Sequence, residues 1–193
     1  MRKFLLTLTK IVLSILFRVE VIDRHKVPRE GPALLCASHN TMLDMFFLGF
    51  RLKRWIYWMA KEELFRNPLA AYVLKKLGAF PVRRGTADIG SIKNAYKLLE
   101  ENKIVGIFPQ GTRIKSSKRT YPVKSGAVMI AAKAGVPIIP ATVCGSYRPF
   151  SKIKVIYGDQ YYIEKKGDRL SKEDLSEMSR DIMRRVHDLA EGK

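Results

Sequence analysis

Ala33-Leu34-Leu35-Cys36-Ala37-Ser38-His39-Asn40-Thr41-Met42-Leu43-Asp44 is the stretch on which the fold turns. The apolar run from Ala33 to Ala37 suits a buried strand, and the run from Met42 to Phe50 reads as a helix. An imidazole therefore stands at a strand end beside a helix start, with a carboxylate near the first helical turn. Histidine has the side-chain pKa nearest neutrality, and a carboxylate on its far nitrogen fixes the tautomer and strengthens it as a proton acceptor. On one continuous helix this spacing would point the two side chains apart. They meet only if His39 precedes the helix and Asp44 lies inside it, and Thr41 as N-cap supplies that break. Thr41-x-x-Asp44 also fits a capping box, in which the carboxylate serves only the helix end. For an isolated pair that structural reading is the commoner one, so the rest of the chain has to decide.

Outward from this stretch, short apolar runs alternate with helical patterns. Trp55 to Met59, Ala79 to Val82, Ile104 to Phe108, Val136 to Cys144 and Ile153 to Tyr157 read as strands. Aromatic anchoring at lipid headgroups is the alternative for the first of them. Asn67-Pro68 starts a helix that Gly78 stops. Asp88 to Glu101 carries an apolar face through Ile89, Ile92, Ala95, Tyr96 and Leu99, and Ser125 caps a small-residue helix ending at Gly135. Ser171 and Asp174 form a capping box for the last helix, to Ala190. The pattern predicts a single α/β domain, residues 19–193, with a largely parallel sheet flanked by helices.

The N-terminus stands apart. Phe4 to Phe17 holds ten apolar residues in fourteen, and Lys3, Thr7, Lys10, Ser14 and Arg18 fall along one stripe. Fourteen residues reach roughly 21 Å, short of a hydrocarbon core of about 30 Å. Residues 1–18 are therefore expected to form an amphipathic helix lying in a membrane interface. A secretory signal ranks second, since no small-x-small cleavage site follows.

Charge is the outlier of the composition: 36 Lys and Arg against 18 Asp and Glu give a formal +18 over 193 residues. That calls for a polyanionic partner: a nucleic acid, an acidic membrane or a phosphorylated substrate. The only cysteines, Cys36 and Cys144, sit in apolar runs without metal-ligand spacing and read as buried free thiols in a reducing compartment. No metal site is visible. In a parallel sheet, ligands gather at the carboxyl ends of the strands. His39, Arg83-Arg84 and the loop Gln110-Gly111-Thr112-Arg113 each follow a strand directly, so one edge would hold a base beside two cationic clusters. Arginine donates two hydrogen bonds at once to phosphate, and Gly111 lets backbone amides approach an anion.

At this point the chain resembles the glycerolipid acyltransferases, in particular the 1-acyl-glycerol-3-phosphate (lysophosphatidate) acyltransferases. Ser38 to Asp44 looks like that family's His-x4-Asp block, Gly78-Ala79-Phe80-Pro81-Val82-Arg83-Arg84 like its second, Phe108 to Arg113 like its third, and Val136-Pro137-Ile138-Ile139-Pro140 like its fourth. The resemblance implies that His39, oriented by Asp44, deprotonates the free hydroxyl of a lysophospholipid. That hydroxyl then attacks an acyl thioester of coenzyme A or acyl carrier protein to form phosphatidate. It implies that Arg84, Gln110, Gly111, Thr112 and Arg113 hold the phosphate and glycerol, that no cofactor is bound, and that the enzyme works as a monotopic protein on the cytoplasmic face of the cell membrane. The chain departs from the family pattern at Gln110, where the family carries Glu, and at Arg83, where an acidic residue is common. Glycerol-3-phosphate acyltransferase is the neighbouring reading, and a non-catalytic protein binding anionic membranes is the reading if Gln110 disables the site. A nucleic-acid binder would need neither the His-Asp pair nor a greasy N-terminus, so no nucleic acid is expected.

Overall fold

The computed structural model describes residues 2–83, 88–113, 123–164 and 170–192. In chain order it contains α1 (Arg2–Leu16), β1 (Arg18–Ile22), β2 (Ala33–Ala37), α2 (Asp44–Leu48), β3 (Ile56–Lys61), α3 (Pro68–Lys76), β4 (Phe80–Val82), α4 (Ile89–Glu100), β5 (Ile104–Ile107), α5 (Gly126–Ala134), β6 (Ile138–Gly145), β7 (Lys152–Tyr157) and α6 (Lys172–Glu191). Short 3-10 turns follow β1 and β3, at Arg24–Lys26 and Glu62–Phe65.

The strands form one sheet in the order β1-β7-β6-β2-β5-β3-β4. From β6 through β4 all neighbours are parallel; β7 reverses against β6, and β1 runs parallel to β7. β2 is the axis, all five of its residues fully buried between β5 and β6. Alternation sends Leu35 and Ala37 to the layer that holds Leu13 of α1, Phe17 just past its end and Phe47 of α2. Leu34 and Cys36 face the opposite layer, with Leu99 of α4, Ile130 of α5 and Ile182 of α6. The expected α/β domain with a largely parallel sheet is the observed one.

Local signals explain most element boundaries. Asn67 Oδ1 accepts from the N–H groups of Leu69 and Ala70, capping α3. Asp88 Oδ1 caps α4 through Ser91 N–H, and Ser171 with Asp174 makes the expected capping box on α6. Ser125 precedes α5 but its hydroxyl makes no cap bond, which corrects that expectation. The helix expected from Met42 begins only at Asp44, and Thr41 is not its N-cap. Thr41 Oγ1 accepts instead from Leu43 N–H, while the Asp44 carboxylate takes the N–H groups of Asn40 and Thr41. Residues 40–43 thus form a turn closed by Asp44 rather than the first turn of a helix.

α1 is a helix over Arg2–Leu16, and its Leu13, with Phe17 just past its end, is buried against the sheet. Several of its apolar side chains stay in the open: Phe4 is 67% exposed, Ile11 51% and Ile15 65%. Among the described residues, no helix is long and apolar enough to cross a membrane.

Candidate active site

Pairing register sets the site. Cys36 of β2 stands opposite Ile107 of β5, and three residues beyond each partner come His39 and Gln110. The equal overshoot lets Gln110 Oε1 accept the backbone N–H of His39 at 3.1 Å. From the other side, β6 supplies Thr142 against Ser38, their hydroxyls 3.1 Å apart, and the Val143 carbonyl, which accepts from Asn40 Nδ2 at 3.3 Å. The chain carrying the histidine is held on both flanks.

His39 Nδ1 lies 3.0 Å from Asp44 Oδ2. Asp44 is completely buried, yet its two oxygens have five partners: His39 Nδ1, Asn40 N–H, Thr41 N–H, the Thr41 hydroxyl and the Tyr147 hydroxyl at 2.7 Å. Four of the five partners have no other role for their hydrogen than to donate, so the carboxylate is their common acceptor and Nδ1 is the protonated nitrogen of the imidazole. Nε2 then carries the lone pair, and it has no hydrogen-bond partner among the described residues. Capping and orienting were posed as rivals, and Asp44 does both. Burial, and then the Asp44 charge, push the Tyr147 phenol upward, so it stays a donor.

The His39 ring stacks on Phe108 at 4.0 Å between centroids, and Phe108 stacks on Trp58 at 4.8 Å. Trp58 is a core residue of β3, only 4% exposed, which decides against aromatic anchoring at that residue. Gly106 stands opposite Trp58 and leaves room for the indole: a Cβ there would fall 2.5 Å from the ring.

The loop after β5 turns through Gly111, whose φ of +66° favours glycine and whose N–H bonds to the Phe108 carbonyl. Lys124 returns to this turn, its N–H on the Pro109 carbonyl and its side chain across Gly111, where a Cβ would meet Cε at 3.0 Å. Gln110 is buried, 3% exposed, and its Nε2 has no partner among the described residues. Thr112 and Arg113 are exposed on the same loop. Arg84 lies outside the described residues. Arg83 was expected to serve an anion, but its guanidinium is held by Glu62 at 3.1 Å. A cavity of about 310 Å³ opens beside this loop, with Met59, Phe108, Met129 and Ile130 for walls and Arg83 and Lys124 among its lining residues.

Both cysteines are free thiols, Cys36 buried as expected but Cys144 only partly so, and burial pushes the Cys36 thiol upward, away from thiolate chemistry. Among the described residues, no three His, Cys, Asp or Glu side chains are grouped to hold a metal ion.

The sequence profile of the family described as "Acyltransferase" matches residues 18–144. The chain belongs to the acyltransferase family. It is 35% identical to the 1-acyl-sn-glycerol-3-phosphate acyltransferase of Bacillus subtilis (strain 168), over 98% of this chain and 96% of that one. It is 32% identical to the enzyme of the same name from Streptococcus pneumoniae, over 62% of this chain and 45% of the relative. Among solved structures it resembles the 1-acyl-sn-glycerophosphate (LPA) acyltransferase PlsC from Thermotoga maritima, with a TM-score of 0.69 at 20% identity, covering 97% of this chain and 81% of that one.

As an acyltransferase fold, this one brings together His39, Asp44 and Gln110 and sets Gly111, Thr112 and Arg113 on the adjoining loop. Three contributors were missed in the sequence: Tyr147 on Asp44, Phe108 under His39, and Lys124 over Gly111. Phe108 stood inside the third quoted block without a role assigned to it, and Lys124 lies eleven residues beyond that block, so only the fold returns it to Gly111. Tyr147 gave no signal, lying 103 residues from the carboxylate it holds.

Proposed function

We propose that this acyltransferase makes phosphatidate by acylating the free hydroxyl of 1-acyl-glycerol-3-phosphate, with His39 as general base and Asp44 as the group that orients it. The observation that carries the reading is the free Nε2 of an imidazole whose Nδ1 is engaged by a buried, fully satisfied carboxylate. Nε2 takes the hydroxyl proton as the oxygen attacks the thioester carbonyl. The tetrahedral intermediate collapses, the carbon–sulfur bond breaks, and His39 returns the proton to the departing thiolate of coenzyme A or acyl carrier protein. The names of the relatives from Bacillus subtilis and Streptococcus pneumoniae support the same substrate.

Arg84, Arg113 and the Gly111-Thr112 backbone are proposed to hold the phosphate, with Lys124 added to them. Gln110 positions His39 through its backbone and presents its spare amide donor to the glycerol. The donor is a soluble thioester, no cofactor is bound, and α1 lies in the headgroup region of the cytoplasmic leaflet, with its exposed Phe4, Ile11 and Ile15 toward the acyl chains. The two free thiols suit that compartment.

Mass spectrometry tests this on lysophosphatidate and an acyl thioester in mixed micelles, with His39→Ala as blank and glycerol 3-phosphate offered as a competing acceptor. Phosphatidate from the native chain and none from the blank is expected; acylation of glycerol 3-phosphate alone would transfer the reading to the neighbouring activity. Gln110→Glu keeps an acceptor for His39 N–H and restores a charge near Arg113. It is expected to raise turnover or lysolipid affinity severalfold with an unchanged unfolding midpoint, and identical kinetics would remove Gln110 as a weakening substitution. Product from Gln110→Glu alone would make the native chain a disabled acyltransferase.

A further inference from the structure

α3 is built inside out. Leu69, Tyr72, Val73 and Lys76 fall at helical spacing on one stripe, and that stripe faces solvent, with Leu69 73%, Tyr72 52% and Val73 37% exposed. Against the body of the protein it sets Ala70, Ala71 and Leu74, all only half-buried, and no residue of the helix is buried. Leu64, in the preceding 3-10 turn, adds a further exposed apolar side chain. A crossover helix in a layered fold normally spends its apolar stripe on the sheet; this one turns it outward, so a contiguous greasy patch needs a partner.

Charge and position choose the partner. Arg66, Lys75 and Lys76 lie exposed at the two ends of the helix, and the Lys76 ammonium sits 5.5 Å from the Tyr72 ring. The acidic residues of the preceding turn are occupied, Glu62 by Arg83 and Glu63 by Lys61. An aliphatic stripe with tyrosine and bordering cations matches the boundary between acyl chains and anionic headgroups, where amphipathic rings settle and lysines reach outward to phosphates. α3 also adjoins α1: Leu77, just past its end, lines a cavity of about 130 Å³ together with Thr9, Lys10 and Leu13.

We propose that α3 is a second membrane-docking helix, inserting Leu69, Tyr72 and Val73 into the leaflet on which α1 lies, with Lys75, Lys76 and Arg66 on anionic headgroups. The proposal rests on the reading of the chain as an enzyme of membrane lipids, but its test needs no turnover. In the full chain, Tyr72→Trp places an indole on the stripe. With vesicles of phosphatidylglycerol and phosphatidylcholine, its emission, taken as the difference from the native chain, is expected to shift to shorter wavelength and to be quenched by brominated acyl chains. Leu69→Glu with Val73→Glu is expected to weaken vesicle binding about tenfold or more at an unchanged unfolding midpoint. An indole that vesicles neither shift nor quench, while the chain still sediments with them, would overturn the proposal. So would a double variant that keeps vesicle binding but loses self-association in analytical ultracentrifugation, or loses binding to an acidic carrier protein, since the stripe would then be a protein interface. Vesicle binding through α3 without phosphatidate formation would strike the proposed reaction and leave this proposal standing.

Discussion

Five donors converge on one carboxylate, and that makes Asp44 the residue whose replacement is most informative. Asp44→Asn keeps the volume but puts an NH₂ group where donors already point, and it invites the imidazole to place its proton on Nε2, the wrong nitrogen for a base. Turnover is expected to fall by about 10²–10⁴-fold, the range of a lost general base, while lysolipid KM changes little. A drop of less than threefold in an acylation assay would mean that His39 works without its orienting partner. Tyr147→Phe removes a single donor without altering shape. A hydrogen bond to a charged group contributes about 1.5 kcal/mol or more, so urea unfolding at neutral pH should show a loss of that size. Its pH dependence has a definite sign. The folded-state pKa of Tyr147 is raised above its usual value, so the tyrosine's contribution is complete below about pH 10 and is lost as pH rises through the folded value. The stability gap between the native chain and Tyr147→Phe should therefore stay level from neutral pH to about 9 and narrow in stronger alkali; a gap that already closes at neutral pH would refute this account.

At the level of elements, the His39 imidazole is seated by strand pairing as much as by its own loop. Gly106 of β5 leaves space for Trp58 of β3, Trp58 supports Phe108, and Phe108 supports His39. Gly106→Ala would drive its Cβ to within 2.5 Å of the indole, so the ring must move and the stack with it. Overpacking of this kind costs about 1–3 kcal/mol, and turnover should fall alongside the unfolding midpoint. A variant that melts with the native chain and acylates at the native rate would show the stack to be slack. This chain of contacts also marks where sequence reading stops. Two capped helices were legible because their signals are local: Asn67-Pro68 before α3 and Ser171 with Asp174 on α6. The alternation of strand and helix, and the arrival of His39, Arg83 and Gln110 at one edge, followed from the same local patterns. Strand order did not, since β5 enters between β2 and β3 only through tertiary pairing, and with it go the Gly106–Trp58 contact and the Gln110–His39 bond. The late start of α2 was hidden for a different reason: a carboxylate that can cap can also close the turn before the helix, and burial by Tyr147 from a distant loop decides between them.

For the molecule as a whole, the direction of the strands brings the exposed apolar helices to the end that carries His39. β6 ends and β7 and β1 begin at one edge of the sheet, so α1 delivers its last turn to the edge that carries His39, where Phe17 meets Phe47 of α2 edge-on at 5.2 Å. α3 departs from the same edge after β3. Both exposed apolar helices thus belong to the end that carries His39, and under the proposed function a formal charge of +18 would draw that end to a surface rich in phosphate. Two forces with different responses to salt would hold it there. Attraction between the protein's cations and anionic headgroups is screened over a Debye length of about 10 Å at 0.1 M salt and about 3 Å at 1 M, whereas burial of Phe4, Ile11 or Leu69 is not. Vesicles containing phosphatidylglycerol should therefore bind the native chain strongly at low salt and about tenfold or more weakly in 0.5 M NaCl, with a residual affinity equal to that for neutral phosphatidylcholine. Turnover of lysophosphatidate embedded in those vesicles should follow the bound fraction, while the unfolding midpoint of the free protein moves little. Binding that salt leaves untouched would assign docking to the apolar helices alone. Binding that salt abolishes completely, on anionic and neutral vesicles alike, would mean that neither α1 nor α3 enters the acyl region, and that the exposed stripes of both helices serve something other than a bilayer.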